Sequence, residues 1–313
     1  MTTAYLHAWR SGLLEARVEE ARRLLSPCRL CPRGCGVDRF AGERGYCRGG
    51  LVAEVASYGP HFGEESVLVG GGGSGTIFFC GCNLLCDFCQ NYALSRAGDE
   101  DCREASAQDL ARVMLKLQRI GCANINVVTP SHVVPQILAA LSHAVAGGLR
   151  LPLVYNCGGY ESIATLRLLD GIVDIYMPDA KFLRPESARI HAQAADYPQV
   201  LRTALIEMQR QVGDLLIDED GLARRGLLVR HLLMPKSLDE AGEIFTFLAE
   251  QVSRTCYVNI MDQFRPCGEY RGGTEATITP DHYRQALSAA GKAGLQRLHR
   301  SDTRALLRRL FDR

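Results

Sequence analysis

Two periods of hydrophobicity alternate along this chain. Short runs rich in Ile, Val and Phe at 75–80, 124–129, 152–156, 172–177, 227–233 and 256–262 read as strands. Helical stripes fall between them. Leu110, Val113, Met114 and Leu117 recur at i, i+3, i+4 and i+7 behind Ser106 and Asp109, a capping signal, and Gly121 ends that helix. Val134, Ile137, Leu138, Leu141 and Val145 make the next stripe, closed by Gly147-Gly148. A later helix opens at Ser237, with Glu240 as the other half of a capping box, and carries Ile244, Phe245, Leu248 and Val252. Residues 185–213 hold one or two more, with Leu201, Leu205, Met208 and Val212 at helical spacing as core positions. Near the start, Leu6, Trp9, Leu13, Leu14, Leu24 and Leu25 among Arg and Glu predict a surface helix over 4–25, ended at Ser26-Pro27.

Strands that alternate with helices and are rich in Ile and Val predict a parallel sheet covered by helices. Six such units fall short of the eight that close a full barrel, so the expected architecture is α/β, a partial (β/α)6 TIM-like barrel. The chain divides into an N-terminal helix with a four-cysteine metal-binding segment (1–70), the barrel core (71–300) and a C-terminal helix (301–313). In such folds chemistry sits at the C-terminal ends of the strands. The residues there are Cys82 to Cys89, Thr129, Asn156, Asp179, Lys181, Arg230, His231, Asp262 and Gln263. For His231 a satisfied core position and a pocket wall stand side by side, and His61 to Glu65 reads as an exposed acidic turn, with a contribution to the N-terminal site or the substrate channel as the alternative.

Charge narrows the partners. The 313 residues carry 36 basic and 35 acidic side chains, a formal net charge of +1, which gives no electrostatic reason to expect nucleic acid or an anionic membrane. No run of 18 or more apolar residues and no signal-like N-terminus is apparent, so a cytoplasmic protein is expected. In that compartment thirteen cysteines read as metal ligands and spare thiols, with Cys102, Cys122, Cys157 and Cys256 as packing residues and no disulfide framework.

Two cysteine groups carry the chemistry. Cys82, Cys86 and Cys89, at C-x3-C-x2-C spacing just after the first strand, supply three thiolates, which leave one metal position open for a small molecule. The alternative is a structural zinc knuckle in which Cys80 completes a closed set of four, although C-x-C-x3-C-x2-C departs from the paired spacing of zinc ribbons. Cys28, Cys31, Cys35 and Cys47 form a second group able to close a site around zinc or an auxiliary cluster.

The first motif resembles that of the radical AdoMet (radical SAM) enzymes, with Phe88 in the aromatic slot before the last cysteine. Further segments extend the resemblance over roughly residues 28 to 265: Cys28-Arg-Leu-Cys31-Pro-Arg33, Gly75-Thr-Ile-Phe-Phe79, Asn124 to Pro130, Val154 to Tyr160, Val173 to Lys181, Val229 to Pro235 and Asn259 to Gln263. Together they are similar to the pyruvate formate-lyase-activating enzyme group, and most of all to its uncharacterised iron-sulfur homologues. The resemblance implies a partial barrel of the radical SAM type, a 4Fe-4S cluster on Cys82, Cys86 and Cys89, and S-adenosylmethionine (AdoMet) on its free iron. It implies an oxidoreductase that makes a 5′-deoxyadenosyl radical for hydrogen abstraction. Phe88 would border the adenine, and Lys181 would meet the AdoMet carboxylate beside Asp179. Asn156, Arg230 and Gln263 would complete the cofactor site. Where the family has Gly-Gly-Glu for the AdoMet ammonium, this chain has Val128-Thr129-Pro130, which puts Thr129 and backbone carbonyls there. The implied partners are a glycyl-radical enzyme or other peptide, and a low-potential electron donor such as flavodoxin or ferredoxin. A small-metabolite substrate, or a non-catalytic iron-sulfur or metal-binding protein built around Cys28 to Cys47, are the other readings.

Overall fold

A computed structural model describes residues 2–96, 102–235, 237–271 and 277–299. The expected C-terminal helix over 301–313 lies outside them.

The strands are β1 (Ala53–His61), β2 (Ser74–Phe79), β3 (Arg103–Ala105), β4 (Ile125–Val128), β5 (Leu153–Cys157), β6 (Ile175–Pro178), β7 (Leu216–Ile217), β8 (Ala223–Leu232), β9 (Tyr257–Met261) and β10 (Arg297–Leu298). The helices are α1 (Ala4–Arg10), α2 (Leu13–Arg23), α3 (Ser66–Val69), α4 (Tyr92–Ser95), α5 (Ala107–Arg119), α6 (Val134–Ala146), α7 (Ile163–Leu168), α8 (Pro185–Ala192), α9 (Tyr197–Val212), α10 (Leu238–Phe247), with a π-turn over Leu248–Val252, and α11 (Pro280–Ala293). The sheet order is β10-β9-β8-β6-β5-β4-β2-β1-β3. From β2 to β10 the neighbours on this path run parallel, whereas β1 pairs antiparallel with β2 and β3. Among the described residues the two ends of the sheet do not pair, so the barrel is partial, and six of its parallel strands are those the hydrophobic runs predict.

Alternation along these strands separates two environments. Ile77, Ile125, Val127, Tyr155, Tyr176, Val229 and Val258 face the helices and belong to one large core. The other face looks into the half-barrel, where Val154, Ile175, Met177 and Leu228 form a smaller cluster with Val67 and Leu68 of α3. Short helix α3 thus gives the interior an apolar floor, and polar strand residues lie above it.

The capping box at Ser106 forms, with the Asp109 N–H donating to Ser106 Oγ at 3.2 Å and the Ser106 N–H to Asp109 Oδ2 at 3.1 Å. The box expected at Ser237 does not. Glu240 is buried and accepts instead from the N–H groups of Leu183 and Arg184 and from Ser187 Oγ at 2.7–2.8 Å. A tertiary demand for an acceptor outcompetes the local cap. The expected helix over 4–25 is two, because Gly12 takes a left-handed conformation (φ +75°) between α1 and α2.

Candidate active site

The thiol loop leaves β2 and is held from several sides. Arg96 donates to the carbonyls of Leu85 (2.6 Å) and Cys86 (3.4 Å), and Asn83 Nδ2 donates to the Tyr160 carbonyl at 2.8 Å. The Leu84 N–H points at Cys82 Sγ, 3.3 Å away. Leu85 is left-handed (φ +53°), a conformation that costs a branched residue energy and is kept only where surroundings fix it. Cys82, Cys86 and Cys89 are free thiols. Burial pushes the Cys86 thiol up to about 12 and raises Cys82, while Lys181 opposes both and two loop N–H groups also oppose the rise at Cys82.

Cys80 is not available to this set. It forms a disulfide with Cys102, which corrects both the packing role expected for Cys102 and the expectation of free thiols throughout. Val55 of β1 pairs with Phe79 on one side and Arg103 on the other, which brings the cysteine next to each within bonding reach. The closed four-thiol alternative that recruits Cys80 is thereby removed. Cys122, Cys157 and Cys256 are buried as expected.

Beside the loop lies a charged network on the interior face. Asp179 accepts from Lys181 Nζ at 2.7 Å and from Arg230 Nε at 2.9 Å, and Arg230 also donates to Asn156 Oδ1 at 2.8 Å. Burial alone would raise the Asp179 carboxyl, but Arg230 and Lys181 bring it down to about 2. Burial disfavours the Lys181 charge, and Asp179 more than restores it. Lys181 Nζ stands 5.9 Å from the Phe88 ring centroid. Phe88, Asn156, Asp179, Lys181 and Arg230 are therefore one constellation. Thr129 joins through its backbone: its N–H donates to the Asn156 carbonyl at 2.9 Å and it sits at φ +58°. Gln263 is exposed, and its carbonyl accepts from Gln90 Nε2 at 3.3 Å. His231, buried, pairs its Nδ1 with the Ala180 carbonyl at 2.7 Å and meets Phe245 edge-on, which makes it a core histidine.

Glu64 and Glu65 are not an exposed turn. The chain doubles back from β1 into the half-barrel, placing Glu64 3.5 Å from Arg230 Nη1 and Glu65 2.7 Å from Asn259 Nδ2. Burial raises the Glu64 carboxyl against the pull of Arg230. The signal for this was the apolar Val67-Leu68-Val69 run just behind them, which has to be buried.

Cys28, Cys31, Cys35 and Cys47 line one small cavity together with Arg33, Arg39 and Tyr46. Burial pushes Cys31 up to about 12. Arg39, itself buried, donates to Cys47 Sγ at 3.5 Å. This segment packs on the thiol loop. Arg33 donates to the carbonyls of Asn83, Gln193 and Ala192 at 2.7–2.9 Å, and its guanidinium lies 3.9 Å from the Tyr46 ring centroid. Gly81, at φ +83°, has no room for a side chain, since a Cβ would stand 2.3 Å from the Cys47 carbonyl.

No family model matches the chain. Over 303 residues it is 31% identical to the uncharacterized protein MJ0674 of Methanocaldococcus jannaschii, spanning 92% of this chain and 81% of that one. The chain belongs to the MJ0674 family. Among solved structures, anSMEcpe with bound AdoMet and the Kp18Cys peptide aligns with a TM-score of 0.50 at 9% identity, over 70% of this chain and 60% of that one. The radical S-adenosylmethionine methyltransferase TsrM of Kitasatospora setae, with cobalamin and a [4Fe-4S] cluster bound, aligns at a TM-score of 0.44 and 12% identity, over 61% of this chain and 36% of that one. The chain spans less than two thirds of either protein. The anSMEcpe likeness shows that this MJ0674-family chain shares its fold, the partial barrel described above.

The donor chemistry of the thiol loop fits an iron-sulfur cluster: three free thiols within eight residues, the Lys181 cation beside them, and the neighbouring Cys80 withdrawn. Among the described residues no three His, Cys, Asp or Glu side chains already stand at metal-holding distances, so the fit rests on the donor set. No described helix is long and apolar enough to cross a membrane.

Proposed function

We propose that this chain is a radical AdoMet enzyme. The observation that carries the reading is the loop of three free thiols at the C-terminal end of a parallel barrel strand, beside the Lys181–Asp179–Arg230 network. Cys82, Cys86 and Cys89 would hold a 4Fe-4S cluster. When bound, such a cluster supplies the electron that cleaves AdoMet to methionine and a 5′-deoxyadenosyl radical, the species that abstracts hydrogen.

The chain's own residues do the rest. Lys181, kept protonated by Asp179, offers two further N–H donors to the AdoMet carboxylate. Arg230 holds Asp179 and Asn156 in place, and Phe88 closes the apolar side next to Phe182 at 6.0 Å between ring centroids. Backbone carbonyls at the left-handed Thr129 turn would accept the ammonium. Gln263, exposed and joined through its carbonyl to Gln90, would stand at the rim of the site. Cys28, Cys31, Cys35 and Cys47 would close a second site, zinc or an auxiliary cluster, as part of an N-terminal metal-bearing arm. The substrate is proposed as a peptide, with a glycyl-radical enzyme as one partner of that kind. The anSMEcpe peptide complex and the open side of the sheet support this reading. Reduction would come from a flavodoxin- or ferredoxin-like donor in the cytoplasm.

Anaerobic reconstitution tests the ligand assignment. Wild type and Cys80→Ser are expected to load about four irons at the loop, and Cys82→Ala, Cys86→Ala and Cys89→Ala to lose them. Equal loss in Cys80→Ser and Cys86→Ala would contradict the assignment.

A further inference from the structure

The half-barrel interior holds a polar layer with more acceptors than donors. Glu65 is 4% exposed; Oε1 accepts from Asn259 Nδ2 at 2.7 Å, and Oε2 is buried with no partner. Asn126, fully buried, donates from Nδ2 to Glu64 Oε1 and Ser74 Oγ, both at 3.3 Å, and its Oδ1 is likewise buried and unpartnered. The nearby donors are already committed. Arg230 gives Nε to Asp179, Nη2 to Asn156 and Nη1 to Glu64. Glu64, Glu65 and Asp179 outnumber Arg230 and Lys181 by one among these five charged groups, with His61 Nδ1 3.7 Å from Glu64 Oε1 at the edge of the layer.

A buried acceptor without a donor carries the full penalty of its desolvation, and a carboxylate oxygen more than an amide one. Two of them in one layer, with surplus negative charge, are the complement of a group that brings donors and positive charge and needs no donor in return. An ammonium has three donors and no acceptor. The layer is reachable from the strand ends, where the side chains of Asp179, Lys181 and Arg230 are 17–19% exposed, and Val67 and Leu68 close it below.

We propose that this layer is a substrate subsite for an ammonium group, with Glu65 Oε2 and Asn126 Oδ1 as its acceptors. It rests on the proposed function only in calling the ligand a substrate. The AdoMet ammonium is assigned to the Thr129 turn, so the two ammonium groups bind together and do not compete.

Calorimetry on the anaerobically reconstituted full chain, with and without saturating AdoMet, tests this using n-pentylammonium chloride and 1-pentanol as its neutral counterpart. The amine is expected to bind under both conditions, at least tenfold more tightly than the alcohol, and Glu65→Gln is expected to weaken it at least tenfold. If Glu65→Gln does not fold, Glu64→Gln removes charge from the same layer and is expected to weaken the amine severalfold. The subsite is overturned by absent amine binding, by equal binding of amine and alcohol, by unchanged affinity in a folded variant, or by displacement with AdoMet. Release of 5′-deoxyadenosine, measured on the same samples, separates the two claims. Release without amine binding overturns the subsite alone. Amine binding without release supports the subsite and contradicts the proposed chemistry.

Discussion

Thr129 is a β-branched residue at φ +58°, where crowding between Cβ and the following carbonyl costs roughly 1–2 kcal/mol. A chain keeps such a turn when the backbone position matters more than the side chain. Thr129→Gly is therefore expected to stabilise the fold by about 1 kcal/mol in urea denaturation while leaving AdoMet affinity intact, because the acceptors are carbonyls. A folded Thr129→Gly chain that no longer binds AdoMet would put the hydroxyl in the contact. The same residue shows where sequence reading stops. Val128-Thr129-Pro130 in place of a Gly-Gly-Glu element assigns the contact to Thr129 and backbone carbonyls, yet the left-handed turn is conformation that residue types alone do not disclose. Glu64 and Glu65 failed for a related reason: their burial depends on α3 filling the barrel floor.

Among the elements, the parallel strands were legible because each is an apolar run bounded by turn residues, and α5 because its stripe and cap agree. Strand β1 was not. Its residues are largely half-exposed and include Gly59 and Pro60, and only pairing with β2 and β3 makes it a strand. The Cys80–Cys102 disulfide follows from that hidden pairing. The N-terminal cysteine segment was legible as a ligand group but not as a neighbour of the thiol loop, since Arg33 reaches Asn83 and Gly81 meets Cys47 across tens of positions of sequence. Metal analysis of a chain with Cys82, Cys86 and Cys89 all replaced by Ala isolates this segment. One equivalent of zinc, or about four of iron, is expected to remain. A folded, anaerobically purified chain holding neither would refute the second site.

At the scale of the whole molecule, buried carboxyls set the response to pH. Burial pushes Asp174 up to about 6, against hydrogen bonds from the N–H groups of Ala4 and Leu153, and pushes Glu161 up to about 7. Between about pH 4 and these values the folded chain keeps protons that the unfolded chain has released, so stability falls as pH rises through that window. Asp179 works the other way: its contribution is present above about pH 4 and is lost as pH falls toward 2. Stability to urea should thus peak near pH 4. Its fall from there toward pH 7 should include about 2 kcal/mol from Asp174, flattened in Asp174→Asn. A profile that rises steadily from pH 5 to 7 would contradict this balance. The central claim, that three thiols on one barrel loop make this chain a radical AdoMet enzyme, meets its most direct test in one assay. Anaerobically reconstituted, reduced protein is incubated with AdoMet and the 5′-deoxyadenosine formed is quantified. Wild type is expected to release it together with methionine, and Cys86→Ala to release none. Wild-type protein loaded with its four irons that forms no 5′-deoxyadenosine, or Cys86→Ala that forms as much as wild type, would contradict the claim.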